Sequence, residues 1–305
     1  MEFSLSGTVL TRDLISADGR RVASRGEIVD LDTLKDVAAR AARGVREKPL
    51  FETGCAQGIL EAFEAPALQA IAGSEGLRAL VADALSEVRF PQPIWDELDA
   101  LRREDAPRYQ HALWTAIISA RLFRSALGTA PGLSRLVGGA LTHDIGMRHA
   151  AMRLRFKRDY LTPSDALTLE DHPILGALLL ASVLGDAPAV HFALLHHTRA
   201  GYGYPRVQGR PPLRGLDVVS VASAFAALIS PRPYRLQPYN PRGAIDQLFE
   251  DASSGFFDAR AVRLLIHCMR GGRGAVLELT LPRKPTGFRP PLNHHGIAPE
   301  SRASA

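Results

Sequence analysis

Leu141-Thr142-His143-Asp144-Ile145-Gly146 closes an apolar, helix-spaced run over 133–143 and sets an imidazole beside a carboxylate at its end. Around it, from about Trp95 to Arg273, apolar residues recur at helical spacing between clusters of Gly, Pro and Asp. This spacing predicts helices over 110–124, 133–143, 173–184, 187–197, 217–229, 242–250 and 258–270, and so a mainly α fold built as a helical bundle. Upstream the language changes. Phe3, Leu5 and Val9 alternate, turn signals follow at Ala17-Asp18-Gly19 and Arg25-Gly26, and Glu27-Ile28-Val29 resumes the short-strand pattern. A helix over 32–43, with Asp32 as N-cap candidate and Gly44 as its stop, and helical sequence over 58–88, broken at Gly73 and Gly76, complete a small β-rich and helical N-terminal domain, 1–90. Phe90-Pro91-Gln92-Pro93 marks the boundary to the helical domain, 91–282, which ends on an alternating strand over 276–281. Residues 283–305, rich in Pro, Arg and Ser, read as a poorly ordered tail.

Composition narrows the function classes. At 305 residues, 46% hydrophobic and 23% charged, the chain is long enough for a full core, and coiled-coil, collagen-like and disordered readings drop out. The longest apolar stretch, Gly176 to Gly185, is far short of the roughly 20 residues a bilayer span needs, and Glu2 stands where a signal peptide would be apolar. No membrane span and a cytoplasmic location are expected. Cys55 and Cys268 are too few for a disulfide framework or a cysteine zinc site, and are expected as buried, reduced thiols. The net charge of +5 is almost wholly arginine, in modest groups at Arg40, Arg43 and Arg46 and at Arg153, Arg155, Lys157 and Arg158. No reading motif or continuous basic stripe accompanies it, so a solvated face is expected rather than a DNA surface.

Seven of the ten histidines fall between 111 and 197: His111, His143, His149, His172, His191, His196 and His197. Singly, each has an ordinary place: His172 at a helix start before Pro173, His191 and His196 partly buried on helices, His149 at the surface. Together they are a donor set. Imidazole and carboxylate hold Zn, Fe or Mn, and helical bundles assemble such sites from different helices. His111, Asp144, His172 and His197 come from four separate expected helices or their ends, although no local chelating spacing joins them.

Three stretches in order then resemble a known family: Leu141 to Gly146, Asp171-His172-Pro173-Ile174-Leu175-Gly176, and Leu195-His196-His197-Thr198-Arg199-Ala200-Gly201-Tyr202-Gly203-Tyr204-Pro205. With His111, Val221-Ala222-Ser223-Ala224-Phe225 and Ser230-Pro231-Arg232-Pro233-Tyr234-Arg235, they resemble the motifs of HD-GYP domains, a branch of the HD phosphohydrolases, over about residues 95 to 272. The pattern around Asp18-Gly19 and Arg25-Gly26 also looks like the small domain that often precedes such domains. The resemblance implies an HD-type helical bundle and metal-dependent hydrolysis of cyclic di-GMP. It makes His111, His143, Asp144, His172, His196 and His197 metal ligands, with Asp144 bridging and His143 and Asp144 carrying the catalysis. Tyr204, Arg232 and Arg235 become substrate-binding residues, the guanidinium forks suiting phosphate oxygens. The implied cofactor is one or two divalent ions, Fe or Mn first, with Zn, Ni or Mg as alternatives. The implied partner is a cyclic dinucleotide, with a protein signalling partner besides.

The sequence departs from the family pattern at several of these positions. Ser223 stands in place of a metal-binding aspartate, Ala226 in place of another acidic residue, Met147 in place of lysine, Thr198 in place of glutamate, and Pro107 where members with three metals carry glutamate. Losing the aspartate leaves His111, His143 and Asp144 at one metal position, while Asp144, His172, His196 and His197 remain complete at the other. Asp217, about 240° around the helix from position 223, is expected to cap that helix instead of replacing the ligand. Met147 cannot stabilise developing negative charge, a loss that typically costs about 2.7 to 4 kcal/mol. The expectation is therefore a slow or altered phosphodiesterase. The alternative is a catalytically inactive, HD-GYP-like cyclic-dinucleotide-binding or signalling adaptor module.

Overall fold

The computed structural model describes residues 4–150, 162–199, 202–209, 213–231, 237–272, 276 and 286–290. The protein is mainly helical, with short strands concentrated near the N-terminus. Five strands come first: β1 (Ser4–Leu5), β2 (Thr8–Val9), β3 (Leu14–Ile15), β4 (Arg21–Ala23) and β5 (Ile28–Val29). β2 pairs with β5 and β3 with β4, all antiparallel, whereas β1 reaches across the chain to pair with β10 (Val207–Gln208), Leu5 opposite Val207.

Helices α1 (Leu31–Ala39), α2 (Cys55–Phe63), α3 (Gln69–Ala72) and α4 (Glu75–Ser86) follow, with β6 (Glu47–Pro49) pairing antiparallel with β7 (Arg89–Pro91). The N-cap of α1 is Asp30, which accepts from the Thr33 N–H, and not Asp32 as expected; the helix ends at Ala39, well before Gly44. Gly76 lies inside α4, which Ser74 caps, so the break in this region falls at Pro66 and Gly73 only. The boundary expected near residue 90 lies in the β6–β7 pair, and α2, α3 and α4 all pack on the long helix that follows it.

The bundle comprises α5 (Gln92–Glu104), α6 (Ala106–Leu127), α7 (Leu133–Thr142), α8 (Met147–Ala150), α9 (Pro163–Leu169), α10 (His172–Leu184), α11 (Pro188–Leu195), α12 (Leu216–Ile229), α13 (Pro241–Ser253) and α14 (Ala259–Met269). All seven helices expected over this region are present, and α5 and the short α8 and α9 are additions. α5 begins at the Pro-Gln-Pro sequence, where Pro93 in the first turn starts a helix because its missing N–H would lack an intrahelical partner there. α6 is the axis: Tyr109 and every residue from His111 to Phe123 are buried, between α4, α5, α7, α12 and α14. A helix buried on all sides carries no one-sided apolar stripe, which is why α10 and α12 read as apolar all round. Packed pairwise, α10 against α11, α11 against α7 and α7 against α6, these helices bring their ends to one place.

Other expectations fare differently. By length and composition Pro163–Leu184 could cross a membrane, a longer apolar run than the ten residues singled out above; here it forms α9 and α10, and α10 packs against α1, α8 and α11. Both cysteines are buried and neither forms a disulfide. Asp217 sits in the first turn of α12 with Gly215 as the N-cap, so it faces the positive end of the helix without capping it. Within the expected tail, 286–290 dock on α13: the Thr286 and Gly287 N–H groups donate to Asp246 and Arg289 pairs with Glu250. Of the strand expected over 276–281 only Val276 is described, and it is not in a strand; the rest of that stretch, the remainder of the tail and the basic group at 153–158 lie outside the described residues.

Candidate metal centre

Five histidines from four places in the chain meet around Asp144, His143 being its neighbour in sequence. His111 comes from the second turn of α6, His143 and Asp144 from the end of α7, His172 from the first residue of α10, His196 and His197 from the end of α11. Close backbone approach makes the meeting possible. A Cβ on Gly146 would lie 2.1 Å from the His172 carbonyl oxygen and 2.4 Å from the Gly176 nitrogen, so only glycine lets the turn after Asp144 press against the start of α10. Gly203, at φ +84°, would place a Cβ 2.0 Å from the His197 carbonyl, and its turn folds the β8 (Thr198–Arg199) and β9 (Tyr202–Gly203) hairpin back over that residue. Tyr204 thereby stacks on His197, ring centroids 4.6 Å apart at 26°.

The carboxylate is the hub. Asp144 Oδ1 lies 3.1 Å from His172 Nε2 and 3.2 Å from His196 Nε2, and its Oδ2 lies 3.4 Å from His111 Nε2 and 3.7 Å from His143 Nε2. Three of these rings have their tautomer fixed from behind. His143 Nδ1 is 2.8 Å from the Ala140 carbonyl, His172 Nδ1 is 2.6 Å from that of Leu169, and His196 Nδ1 is 3.0 Å from those of Phe192 and Ala193. A carbonyl can only accept, so each Nδ1 carries the proton and each Nε2 turns a lone pair toward the carboxylate. His172 Nε2 and His196 Nε2 face each other at 3.2 Å as well. Acceptors thus confront acceptors, and the Ser223 hydroxyl, 3.1 Å from His143 Nε2 and 3.3 Å from His111 Nε2, has one proton to give.

Protonating the rings would relieve the conflict, but burial opposes it. It pushes His143 down to about 4, lowers His196, and takes His197 well below the usual imidazole range with help from its neighbours His196 and His172. Burial alone would raise Asp144; wherever a proton or cation sits on the Nε2 side of His143, His172 and His196, it outweighs burial and holds the carboxyl well below its usual range. A cation satisfies the same donors with no added proton, and imidazoles whose second nitrogen is anchored to backbone carbonyls are the usual dress of a metal ligand. The geometry offers two overlapping sets, Asp144 with His172, His196 and His197, and Asp144 with His111 and His143, each with its ligand atoms within 4.8 Å of one another. A buried His and Asp cluster able to bind a metal ion is therefore present. The first set has three imidazole nitrogens and a carboxylate oxygen; the second ends on the uncharged Ser223 hydroxyl.

Every metal-ligand candidate is therefore in the cluster, with Tyr204 at its edge and Arg232 and Arg235 outside the described residues. His149, expected at the surface, is mostly buried and lies 3.3 Å from Glu97, and His191 pairs with Asp186. Of the substituted positions, Thr198 donates to the Leu195 carbonyl at the end of α11, and Pro107 occupies the first turn of α6 behind the N-cap Asp105. Sequence reasoning missed Ser220, one helical turn before Ser223, which donates to the His196 carbonyl at 3.0 Å and steadies the histidine pair. Its signal was the spacing Ser220, Ser223 on an otherwise apolar helix. Comparison with protein-family models and with curated proteins finds no match to this chain.

Proposed function

We propose that the protein is a metal-dependent phosphohydrolase of the HD-GYP type, acting slowly or in altered form as a phosphodiesterase on cyclic di-GMP or a related nucleotide. The observation that carries this reading is the Asp144 carboxylate enclosed by Nε2 lone pairs whose Nδ1 protons are committed to carbonyls. His172, His196, His197 and Asp144 would hold one divalent ion, Fe or Mn, and His111, His143 and Asp144 a second. When bound, such ions supply Lewis acidity and a nucleophilic water near neutral pH. The protein's own part is positional: buried imidazoles kept neutral, a carboxylate kept ionised, and the Tyr204 ring beside His197 offering an apolar surface against which a base can stack. Arg232 and Arg235 are the proposed phosphate holders, on the strength of the sequence resemblance alone.

One observation favours a second reading, a nucleotide-binding module without turnover. Ser223 brings a hydroxyl, not a carboxylate, to His111 and His143, so the second position lacks the negative charge that would hold a dication against the desolvation of the site. Elemental analysis of the purified protein with turnover of cyclic di-GMP in added Mn or Fe separates the readings. Bound metal with product supports the hydrolase; bound metal and nucleotide affinity without product supports the module; neither metal nor affinity refutes both.

A further inference from the structure

Glu97 in α5 is as deeply buried as the leucines around it, its side chain 1% exposed, and plays no part in the cluster just described. A carboxylate placed there must be paired and hydrogen-bonded to persist. Its Oε1 accepts from the Ala17 N–H, in the turn between β3 and β4; its Oε2 accepts from Arg148 Nη1 at 3.0 Å and lies 3.3 Å from His149 Nε2. Arg148 and His149 form α8, which continues directly from the ligand pair: the Met147 N–H donates to the Asp144 carbonyl and the His149 N–H to that of Gly146. The same N-terminal segment touches two other ligand-bearing stretches. The Arg12 guanidinium acts on the carboxylate of Asp171, the residue before His172, and donates at 3.0 Å to the His149 carbonyl. β1 pairs with β10, whose Val207 lies three residues beyond Tyr204.

We infer that Glu97 is a positioning residue for the metal centre: it locks the β3–β4 turn onto α8 and, through α8, fixes the direction of the Asp144 carboxylate, so that residues 4–29 set how tightly the centre binds its ion. This rests on the metal reading proposed above. Preorganised ligands bind more tightly because less freedom is lost on binding, and loss of an outer partner of a metal ligand typically costs about 10- to 100-fold in affinity.

The test uses the full chain and Co(II) alone, read by titration calorimetry and by the visible absorption of the bound ion, which reports ligand geometry. Glu97→Gln turns an amide N–H toward Arg148 and His149 and breaks the lock on the α8 side. It is expected to weaken Co(II) binding by about 10- to 100-fold and to shift the visible bands. Arg12→Ala, at a half-buried position tolerant of truncation, is expected to weaken it several-fold in the same sense. Leu265→Ala in α14 destabilises the core without touching the lock and is expected to leave both affinity and spectrum alone. Wild-type binding with unchanged affinity and spectrum in both lock variants overturns the inference while leaving the metal reading intact, and so does an equal loss in Leu265→Ala. Absence of Co(II) binding by the wild type overturns the metal reading itself. Should Glu97→Gln fail to fold, Arg12→Ala decides alone.

Discussion

Ser223→Asp tests the charge argument at the centre most directly, because it acts in opposite directions on the metal-free and metal-loaded protein. The Ser223 hydroxyl already lies 3.1 and 3.3 Å from two imidazole nitrogens, so a carboxylate at this position enters the same space as Asp144. At a separation of about 4 Å, two carboxylates repel by about 4 kcal/mol at an effective dielectric constant of about 20. The metal-free variant should therefore melt below wild type, by roughly 10 °C at about 2 to 4 °C per kcal/mol. A dication at the same distance attracts the new carboxylate about twice as strongly by the same law, so added Mn or Fe should restore and then exceed the wild-type melting temperature. Bound metal should rise from one tightly held ion per chain toward two. Calorimetric melting with and without metal, alongside elemental analysis, reads both limbs. A metal-free variant that melts with wild type, or a metal content that stays at one, refutes the reasoning, since either places residue 223 away from the charge of Asp144.

Acid should loosen the metal-free protein in a defined window. His143 titrates near 4 when folded against about 6.5 unfolded, so its contribution is fully present above about 6.5 and is lost as pH falls toward 4, at about 1.4 kcal/mol per unit or roughly 3 kcal/mol in all. His196 and His197 are shifted in the same direction and add to the loss, whereas Asp144, held low, gives up its contribution only below the ordinary carboxylate range. A urea midpoint equal at pH 7.5 and pH 5 would contradict this. Gly146→Ala forces a methyl against the His172 carbonyl and the Gly176 nitrogen, so it should cost about 1 to 3 kcal/mol in denaturant unfolding and weaken metal binding by moving His172 from Asp144; wild-type values of both would show that the approach is not tight. Tyr204→Leu removes the ring stacked on His197 and should lower affinity for a cyclic dinucleotide while leaving metal content unchanged, which equilibrium binding and elemental analysis check together.

Sequence made the bundle legible because its helices are long and bounded by Pro, Gly and Asp, and it made the donor set legible because histidine is scarce outside residues 111 to 197. What it did not make legible follows from where the signals sit. α5 was hidden because Pro91 and Pro93, which begin the helix, read equally well as a linker. Asp30 and Asp32 both suit an N-cap, and the choice between them is made by a hydrogen bond to Thr33 that no spacing rule discriminates. The pairing of β1 with β10 joins residues 4–5 to 207–208 across two-thirds of the chain, and two-residue strands carry no periodicity from which to infer a partner. Glu97 is harder still: on an amphipathic helix a glutamate is expected to face water, and only the three-dimensional neighbours, Ala17 and Arg148, explain why it is inside.

The same geometry explains why the two halves of the centre should differ in strength although they share Asp144. At the first set, three imidazoles and Oδ1 surround a space in which the His172 and His196 Nε2 atoms face each other and the carboxylate, so a cation entering there relieves a conflict built into the fold. At the second, the Ser223 proton already satisfies one nitrogen, and a cation must displace that hydrogen bond before it gains anything. The second ion thus starts from a partly satisfied site with one shared carboxylate oxygen, Oδ2, and competes with the first for the charge of the same residue. On the proposed hydrolase reading, the phosphate of a bound nucleotide, bringing its own negative oxygens, would tip that balance toward occupancy. Metal stoichiometry that rises when nucleotide is added, and falls when it is removed, is the expected consequence; a second ion bound as tightly without nucleotide as with it would exclude this account.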